Sequence, residues 1–490
     1  MGLRLWVKHH TLLIVFAVPP ALPPTPPDRI DKALLLLSRS LRGAKVLTAP
    51  ESCERFCRDE SEAQGRVPDI VVMATSMQEI QTTLQVAEQS GVPVTPRGAG
   101  TGRTGGAVPV AGGILLDTTA MNQIKEIDRG DLVAVVEPGV ILKDLHSAVE
   151  AEGLFYPPDP NSVDSCALGG NIAENAGGPR AFKYGVTRDY VLGLEATLMG
   201  GTQLRVGRRT VKGVAGYDLT ALFVGSEGTL AVFSEITLKL IVRPETVCTL
   251  LGMFSGVLDA TRTVEALIRL GVVPRCLELM DAGALAAIRA QGVGVDANAG
   301  AMLLIEVDGD AAACERDMLR VGEACEENKA LDVLVAQDAA QRDRLWAARR
   351  ELSRAIREMA KNKLAEDIVV PRSRITDLLQ SVATSSERFG VRTITYGHAG
   401  DGNLHVNFLW DDDADIPKVQ NAIEAMMRSV VEMRGTISGE HGIGVLKIPH
   451  LHLEQSPDLI AVQQRIKDTL DPKGLMNPGK IFAHPLHHAC

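Results

Sequence analysis

The chain has no cysteine pair in a CxxC arrangement and no ferredoxin-like spacing; its eight cysteines stand scattered at 53, 57, 166, 248, 276, 314, 325 and 490. This excludes an iron-sulfur cluster, offers no disulfide framework and fits a reduced, cytosol-like compartment. There is also no run rich in Lys and Arg. With a net charge of -10 and a pI near 5.6, the chain is not expected to neutralise phosphates along a nucleic acid. Long apolar runs are missing too. The stretch TLLIVFAV, between basic MGLRLWVKHH and a proline run, is far short of the roughly 20 residues that cross a bilayer, and no convincing small-x-small cleavage pattern accompanies it. Residues 1–28 therefore read as a disordered extension or an overcalled start, and the expected location is cytoplasmic, with a peripheral position at a membrane surface compatible with it.

A chain of 490 residues with 45% hydrophobic and 23% charged content is too long for one core and ordinary for a globular protein, so two or three domains are expected. The regular pattern starts at Asp69. DIVVMAT reads as a strand, Ser76 with Glu79 as a capping box, and Ile80, Leu84 and Ala87 as one face of a helix ending near Gly91. Strands VPVTPR, GGILLDTT and DLVAVVEPG and a helix around 142–152 follow, without internal repeats. From about Glu245 helix-like TRTVEALIRLG, strand-like AMLLIEVDG, a long amphipathic helix from Gln341 to about Ala360 and strand IVV alternate in a sandwich-like order. The turn-rich tail DPKGLMNPGKIF is too short to bury anything alone and is expected to fold back onto the first region.

The segment GHAGDGNLH sets His398 and His405 on either side of a Gly-Asp-Gly turn, and Glu440-His441 follows between Gly439 and Gly442. On one unbroken strand two residues seven apart would face opposite ways, but Gly397, Gly400 and Gly402 permit a reversal that points both imidazoles inward. His398, His405 and Glu440 suit a divalent metal, zinc by ligand type, and three protein ligands with an open position mark a catalytic rather than a structural site. Hydrogen-bonded core histidines are the plain alternative; the adjoining Glu-His pair favours the metal. His441 would then act as general base. On LWAARRELS, Trp346, Arg349 and Ser353 share one helix face, and Arg349 is the first choice for binding a carboxylate.

Gly100, Gly102 and Gly105 satisfy GxGxxG, with Asp117 at a suggestive distance, yet Pro109 and a strand follow where a dinucleotide fold needs a helix. The loop PRGAGTGRTGG instead offers a nest of backbone N–H groups beside Arg97 and Arg103, suited to a diphosphate. LGGNIAENAGG and GSEGTL add two further clusters. Three such clusters in one domain imply an extended cofactor.

These residues carry a family likeness. PRGAGTG, YPPDPNS, LGGNIAENAGGPRAFKYG, VKGVAGYDL, VGSEGTL, GHAGDGNLH, SGEHGIG and NPGKIF, in that order, resemble the FAD-binding dehydrogenases of the vanillyl-alcohol oxidase superfamily, most of all its glycolate, D-lactate and D-2-hydroxyglutarate branch. The resemblance implies an α+β protein: a two-subdomain FAD-binding domain plus an α+β substrate (cap) domain with an antiparallel sheet. The corresponding division is an N-terminal helical segment at 29–66, the FAD domain at 67–244, the cap at 245–470 and a returning segment at 471–490. It further implies FAD contacts at Arg97, Gly98, Ala99, Gly100, Thr101 and Gly102 for the pyrophosphate, with Pro158, Gly169, Gly170, Ala173, Asn175, Glu227 and Asn477 along the rest. The first glycine loop has no His, so FAD is expected to be noncovalent. Lys363 assists by resemblance, Tyr217 and Asp218 shape the domain, and Glu195 and Lys183 are structural. Arg103, Ala231 and Ala365 depart from the family pattern, the last at a place often polar.

The expected reaction is oxidation of a small 2-hydroxy acid of the glycolate or D-lactate type to the 2-oxo acid, by hydride transfer to flavin with metal-assisted deprotonation of the hydroxyl. D-2-hydroxyglutarate is the alternative substrate. The catalytic set is His441, Arg349, Lys363 and Ser353. Electrons would leave to a partner subunit, a soluble carrier or a quinone, and assembly with itself or with other subunits is open. Two other classes compete: a noncatalytic flavin-binding electron-transfer subunit, which would have no reason to keep GHAGDGNLH and SGEHG, and a metal hydrolase, which flavin absorbance would eliminate.

Overall fold

Short apolar runs bounded by turn residues become strands throughout the chain, and the computed structural model describes residues 22–41 and 43–483. The expectation for residues 1–21 lies outside them. In the first unit the strands Ile70–Met73, Ile114–Asp117 and Val94–Arg97 run parallel, and Lys45–Leu47 pairs antiparallel with the first of them. Helix Met77–Ser90 makes the crossover. It starts where the Ser76 side chain accepts from the Glu79 N–H and stops at Gly91, φ 69°. The expected capping box is only half made: Glu79 Oε2 accepts from the N–H and hydroxyl of Thr75, at 2.7 and 2.9 Å, not from Ser76. Two donors on one residue outcompete the single N–H of the box. Ile80, Leu84 and Ala87 share a core with Ile30, Ala33 and Leu37 of helix Pro27–Ser40.

The second unit is a five-stranded antiparallel sheet in the order Ile124–Asp128, Val133–Val136, Val232–Lys239, Val191–Thr197, Gln203–Gly207. Helix Leu142–Ala151 buries Leu142, Leu145 and Val149 in its core. After strand Val94–Arg97 the glycine-rich loop runs to strand Ile114–Asp117 with no intervening helix. The tail returns to the first unit: Asn477 N–H donates to Val94 O at 2.7 Å, and Met476 enters the core around Ile80 and Leu84.

The third unit corrects the sandwich-like order read from the sequence. Its strands form one seven-stranded antiparallel sheet, in the order Asp332–Val335, Thr246–Phe254, Ala301–Gly309, Cys276–Asp281, Arg392–His398, Asn403–Trp410, Asn362–Val369. Helices Val257–Arg269, Ala311–Glu327, Ile375–Phe389 and Ile416–Glu432 supply one core, and Ala282–Ala290 with Ala339–Arg357 a separate one. Each strand finds its partner within the sheet and each face is buried by helices, so a second sheet is not needed.

Strands Arg392–His398 and Asn403–Trp410 form a hairpin through Ala399–Gly402. Gly402 holds φ 88°, and a Cβ there would run into Val370 O. Gly402→Ala is expected to lower stability by about 1–3 kcal/mol from backbone strain, with the clash in addition; an unchanged denaturant midpoint would show that the turn does not need glycine.

Candidate functional site

Sheet register decides where the histidines point. His405 lies opposite Tyr396 on the neighbouring strand and His398 two residues beyond, so both imidazoles leave the same face. The outer neighbours place a carboxylate against each: Glu278 is opposite His398, and Asp367 is opposite His405. His398 Nδ1 meets Glu278 Oε1 at 2.6 Å, and His405 Nδ1 stands 3.6 Å from Asp367 Oδ1. With a carboxylate bonded to Nδ1 of His398 and another standing behind Nδ1 of His405, Nε2 of each ring is turned outward.

Asp367 also builds the second loop. Its Oδ2 accepts the N–H groups of Gly439, Glu440 and His441 at 2.8, 2.8 and 3.0 Å. This brings Glu440 Oε1 to 3.5 Å from His398 Nε2, 3.6 Å from His405 Nε2 and 4.0 Å from His441 Nε2. His441 stacks on His405, centroids 5.4 Å apart, and ligand-type atoms of Asp367, His405, Glu440 and His441 all lie within 4.8 Å of one another. Two ligands at about 2.1 Å from a tetrahedral metal stand roughly 3.4 Å apart. The 3.5 and 3.6 Å separations match that spacing and exceed a good hydrogen bond, so the donor set fits a divalent ion.

The charges of the cluster are unequal. Burial opposes charge on His398, but Glu278 and Glu440 outweigh it and hold that imidazole well above its usual range. On His405 burial wins, pushing it down to about 3, and on His441 burial likewise wins over Asp367 and Glu440. Glu278 is buried, yet His398 and Arg349 hold it down to about 2; Asp367 is held below the carboxylate range against its burial by His441 and Lys447. His405 and His441 are therefore neutral near pH 7, one fit to ligate and the other to accept a proton.

Helix Ala339–Arg357 puts Trp346, Arg349 and Ser353 on one wall of a cavity of about 1050 Å³ that also takes in Lys363, His398, His405, Glu440 and His441. Arg349 gives part of its guanidinium to a buried acid: Nε and Nη2 reach Glu278 Oε2 at 2.8 and 2.6 Å, and the guanidinium lies 4.6 Å over the Tyr396 ring. Trp346 Nε1 is committed to Glu306 Oε1 at 2.6 Å. Lys363 differs. Its Nζ donates to Ser353 Oγ at 2.9 Å and to Ser353 O at 3.0 Å, and burial, with Arg357 and Arg103 nearby, pushes it down to about 8.

The three glycine clusters meet where the first and second units adjoin. Arg97, Gly98, Gly169, Gly170, Ala173 and Glu227 line one pocket, and a Cβ on Gly98 would touch Gly170 N at 3.5 Å. Ala99, Gly100, Thr101 and Gly102 continue the loop from Gly98. The Arg97 guanidinium crosses Gly100 and donates to Arg58 O and Ala107 O, at 2.8 and 3.3 Å. Asn175, Glu227 and Asn477 hold φ of 55°, 52° and 45°, a left-handed backbone uncommon outside glycine; at Asn175 it caps helix Leu168–Glu174. Asn477 Nδ2 donates to Gly106 O and Glu227 O, at 2.9 and 2.8 Å. Pro158 does not line this pocket; its carbonyl faces His146 Nε2 at 3.0 Å. A pocket lined by glycine backbone, with Arg97 among its lining residues, suits a dinucleotide diphosphate. The cluster 168–178 also reaches the histidine site, since a Cβ on Gly177 would lie 2.8 Å from Glu440 Oε2.

Two family descriptions match the chain: "FAD binding domain" over residues 68–207 and "FAD linked oxidases, C-terminal domain" over 243–481. The glycolate oxidase subunit GlcD of Bacillus subtilis (strain 168) is 41% identical over 431 residues, 87% of this chain and 92% of that protein. The chain belongs to the FAD-linked oxidase family. A D-lactate dehydrogenase of Anaerostipes hadrus is 35% identical over 473 residues, covering 93% and 97% of the two chains. The 4-ethylphenol oxidase of Gulosibacter chungangensis has the same fold, with a TM-score of 0.77 at 19% identity over 96% of this chain and 100% of that one. As a member of this family the chain is an FAD-dependent oxidoreductase. Among the described residues no helix is long and apolar enough to cross a membrane.

Sequence reasoning missed Glu278 and Asp367. Both were detectable as acids within otherwise apolar strands, Glu278 in CLELMD and Asp367 in LAEDIVV, where an unpaired carboxylate is too costly to be incidental.

Proposed function

We propose that this protein oxidises a small 2-hydroxy acid of the glycolate or D-lactate type to the 2-oxo acid. What carries the reading is the convergence of His398, His405 and His441 Nε2 on Glu440 Oε1 within the cavity where the glycine clusters end. Relatives named glycolate oxidase subunit and D-lactate dehydrogenase support the substrate class. FAD, when bound, supplies the acceptor for the hydride leaving the α-carbon. A divalent metal, zinc by its nitrogen and oxygen donors, would be held by His398, His405 and Glu440, displacing the proton that Glu278 and Glu440 favour on His398, and would polarise the substrate hydroxyl. Neutral His441 takes the hydroxyl proton at Nε2, and the three N–H bonds to Asp367 keep its loop in place. Lys363, held by Ser353, pairs with the substrate carboxylate. Arg349 acts mainly through Glu278, which orients His398. Electrons pass on to a partner subunit, a soluble carrier or a quinone.

Anaerobic flavin bleaching against a panel of D- and L-2-hydroxy acids, with D-2-hydroxyglutarate included, tests this reading. Bleaching by glycolate or D-lactate is expected; a flavin that no member of the panel bleaches would overturn it. Lys363 adds a pH signature. It binds a carboxylate only while protonated, so with a value of about 8 the KM for substrate is expected to rise as pH climbs through that region. Lys363→Met should raise KM at least tenfold, about 1.4 kcal/mol, and abolish this rise; an unchanged KM profile would remove Lys363 from substrate binding.

A further inference from the structure

One acid in the FAD pocket is unassigned. Glu174 ends helix Leu168–Glu174 and lines the pocket where the glycine clusters meet, opposite Gly106, whose added Cβ would lie 2.6 Å from its Oε1. Its Oε2 is sealed from solvent and has no hydrogen-bond partner among the described residues. Neighbouring Glu227 is placed quite differently, because its two oxygens accept the N–H groups of Ile443 and Gly444 at 2.8 and 2.6 Å. Two carboxylates side by side out of water cannot both be charged, and the one with two N–H donors keeps the charge. The other groups facing Glu174 are Asp59, of the same sign, and Lys480, whose Nζ is taken up by Val108 O and Asn477 Oδ1 at 2.7 and 3.0 Å.

We propose that Glu174 is a cofactor-binding residue: it stands in the pocket as a neutral carboxylic acid and hydrogen-bonds to the bound FAD. A neutral acid is the one form of this side chain that offers both a donor and an acceptor without setting a negative charge beside the cofactor's diphosphate. Burial, with Glu227 and Asp59 alongside, holds its carboxyl well above the usual range and so favours the neutral form. Ionisation at higher pH would loosen the cofactor. The carboxylate loses its donor and adds like-charge repulsion.

The test is FAD titration of the full-length protein stripped of flavin, followed by quenching of FAD fluorescence between pH 6 and 10. The wild type is expected to bind FAD more weakly as pH rises. Glu174→Gln, neutral and of the same shape, should bind within about twofold of the wild type at pH 6, and the part of the alkaline loss due to Glu174 should disappear. Glu174→Ala should weaken FAD binding about tenfold at pH 6, which corresponds to about one hydrogen bond. Identical pH profiles for wild type and Glu174→Gln would overturn the proposal, as would undiminished affinity in Glu174→Ala. If the alanine variant does not fold, the glutamine profile alone decides.

Discussion

His441→Ala is expected to lower turnover by roughly a hundredfold to ten-thousandfold, the usual span for removing a general base, while bound FAD and metal content stay near wild type. The imidazole is neutral because burial outweighs Asp367 and Glu440, so it is poised to take a proton. It also stands farther from Glu440 Oε1, at 4.0 Å, than His398 or His405, at 3.5 and 3.6 Å, though it lies within ligating reach of Asp367, His405 and Glu440. Turnover, flavin absorbance and elemental analysis on the same preparation separate the roles. A variant within threefold of wild type would take the base assignment away from His441. One that lost its metal would make it a ligand instead.

Asp367→Asn is expected to do comparable damage by another route. The native carboxylate accepts three N–H groups through Oδ2 and the Asn403 amide through Oδ1 at 2.6 Å, and it backs His405. An amide must turn a donor toward one of these sides, so at least one set of donors loses its acceptor. The Glu440-His441 loop would shift and the negative charge behind His405 would vanish; loss of such a supporting carboxylate typically costs ten- to a hundredfold in metal affinity. Turnover should fall at least a hundredfold together with metal content. Full metal occupancy with turnover within threefold would mean that Asp367 merely fills space.

Much of the architecture was legible because it depends on local pattern. The helix at Met77–Ser90 follows from Ser76, its apolar spacing and Gly91, and rejection of a nicotinamide fold follows from Pro109 after the glycines, since the segment to Ile114–Asp117 contains no helix. The reversal between His398 and His405 was readable for the same reason: Gly402 is a requirement imposed by backbone sterics. Local pattern was less informative wherever two candidates had to be ranked by what lies across the sheet. Arg349 stood out as a cation from its helix face, but its bond to Glu278, 71 residues away, did not, nor did the hold of Ser353 on Lys363.

The sequence by itself therefore determined the family, the flavin and the histidines and glutamate that meet at the site, because glycine conformations, turn chemistry and ligand types are properties of short segments. Only the tertiary structure decided which carboxylate stands behind which imidazole, which acid engages Arg349 and which of two adjoining buried acids accepts backbone N–H groups. Those depend on register between distant strands and on burial, and the same side chain is an anion, a neutral acid or a neutralised partner according to what its neighbours leave it.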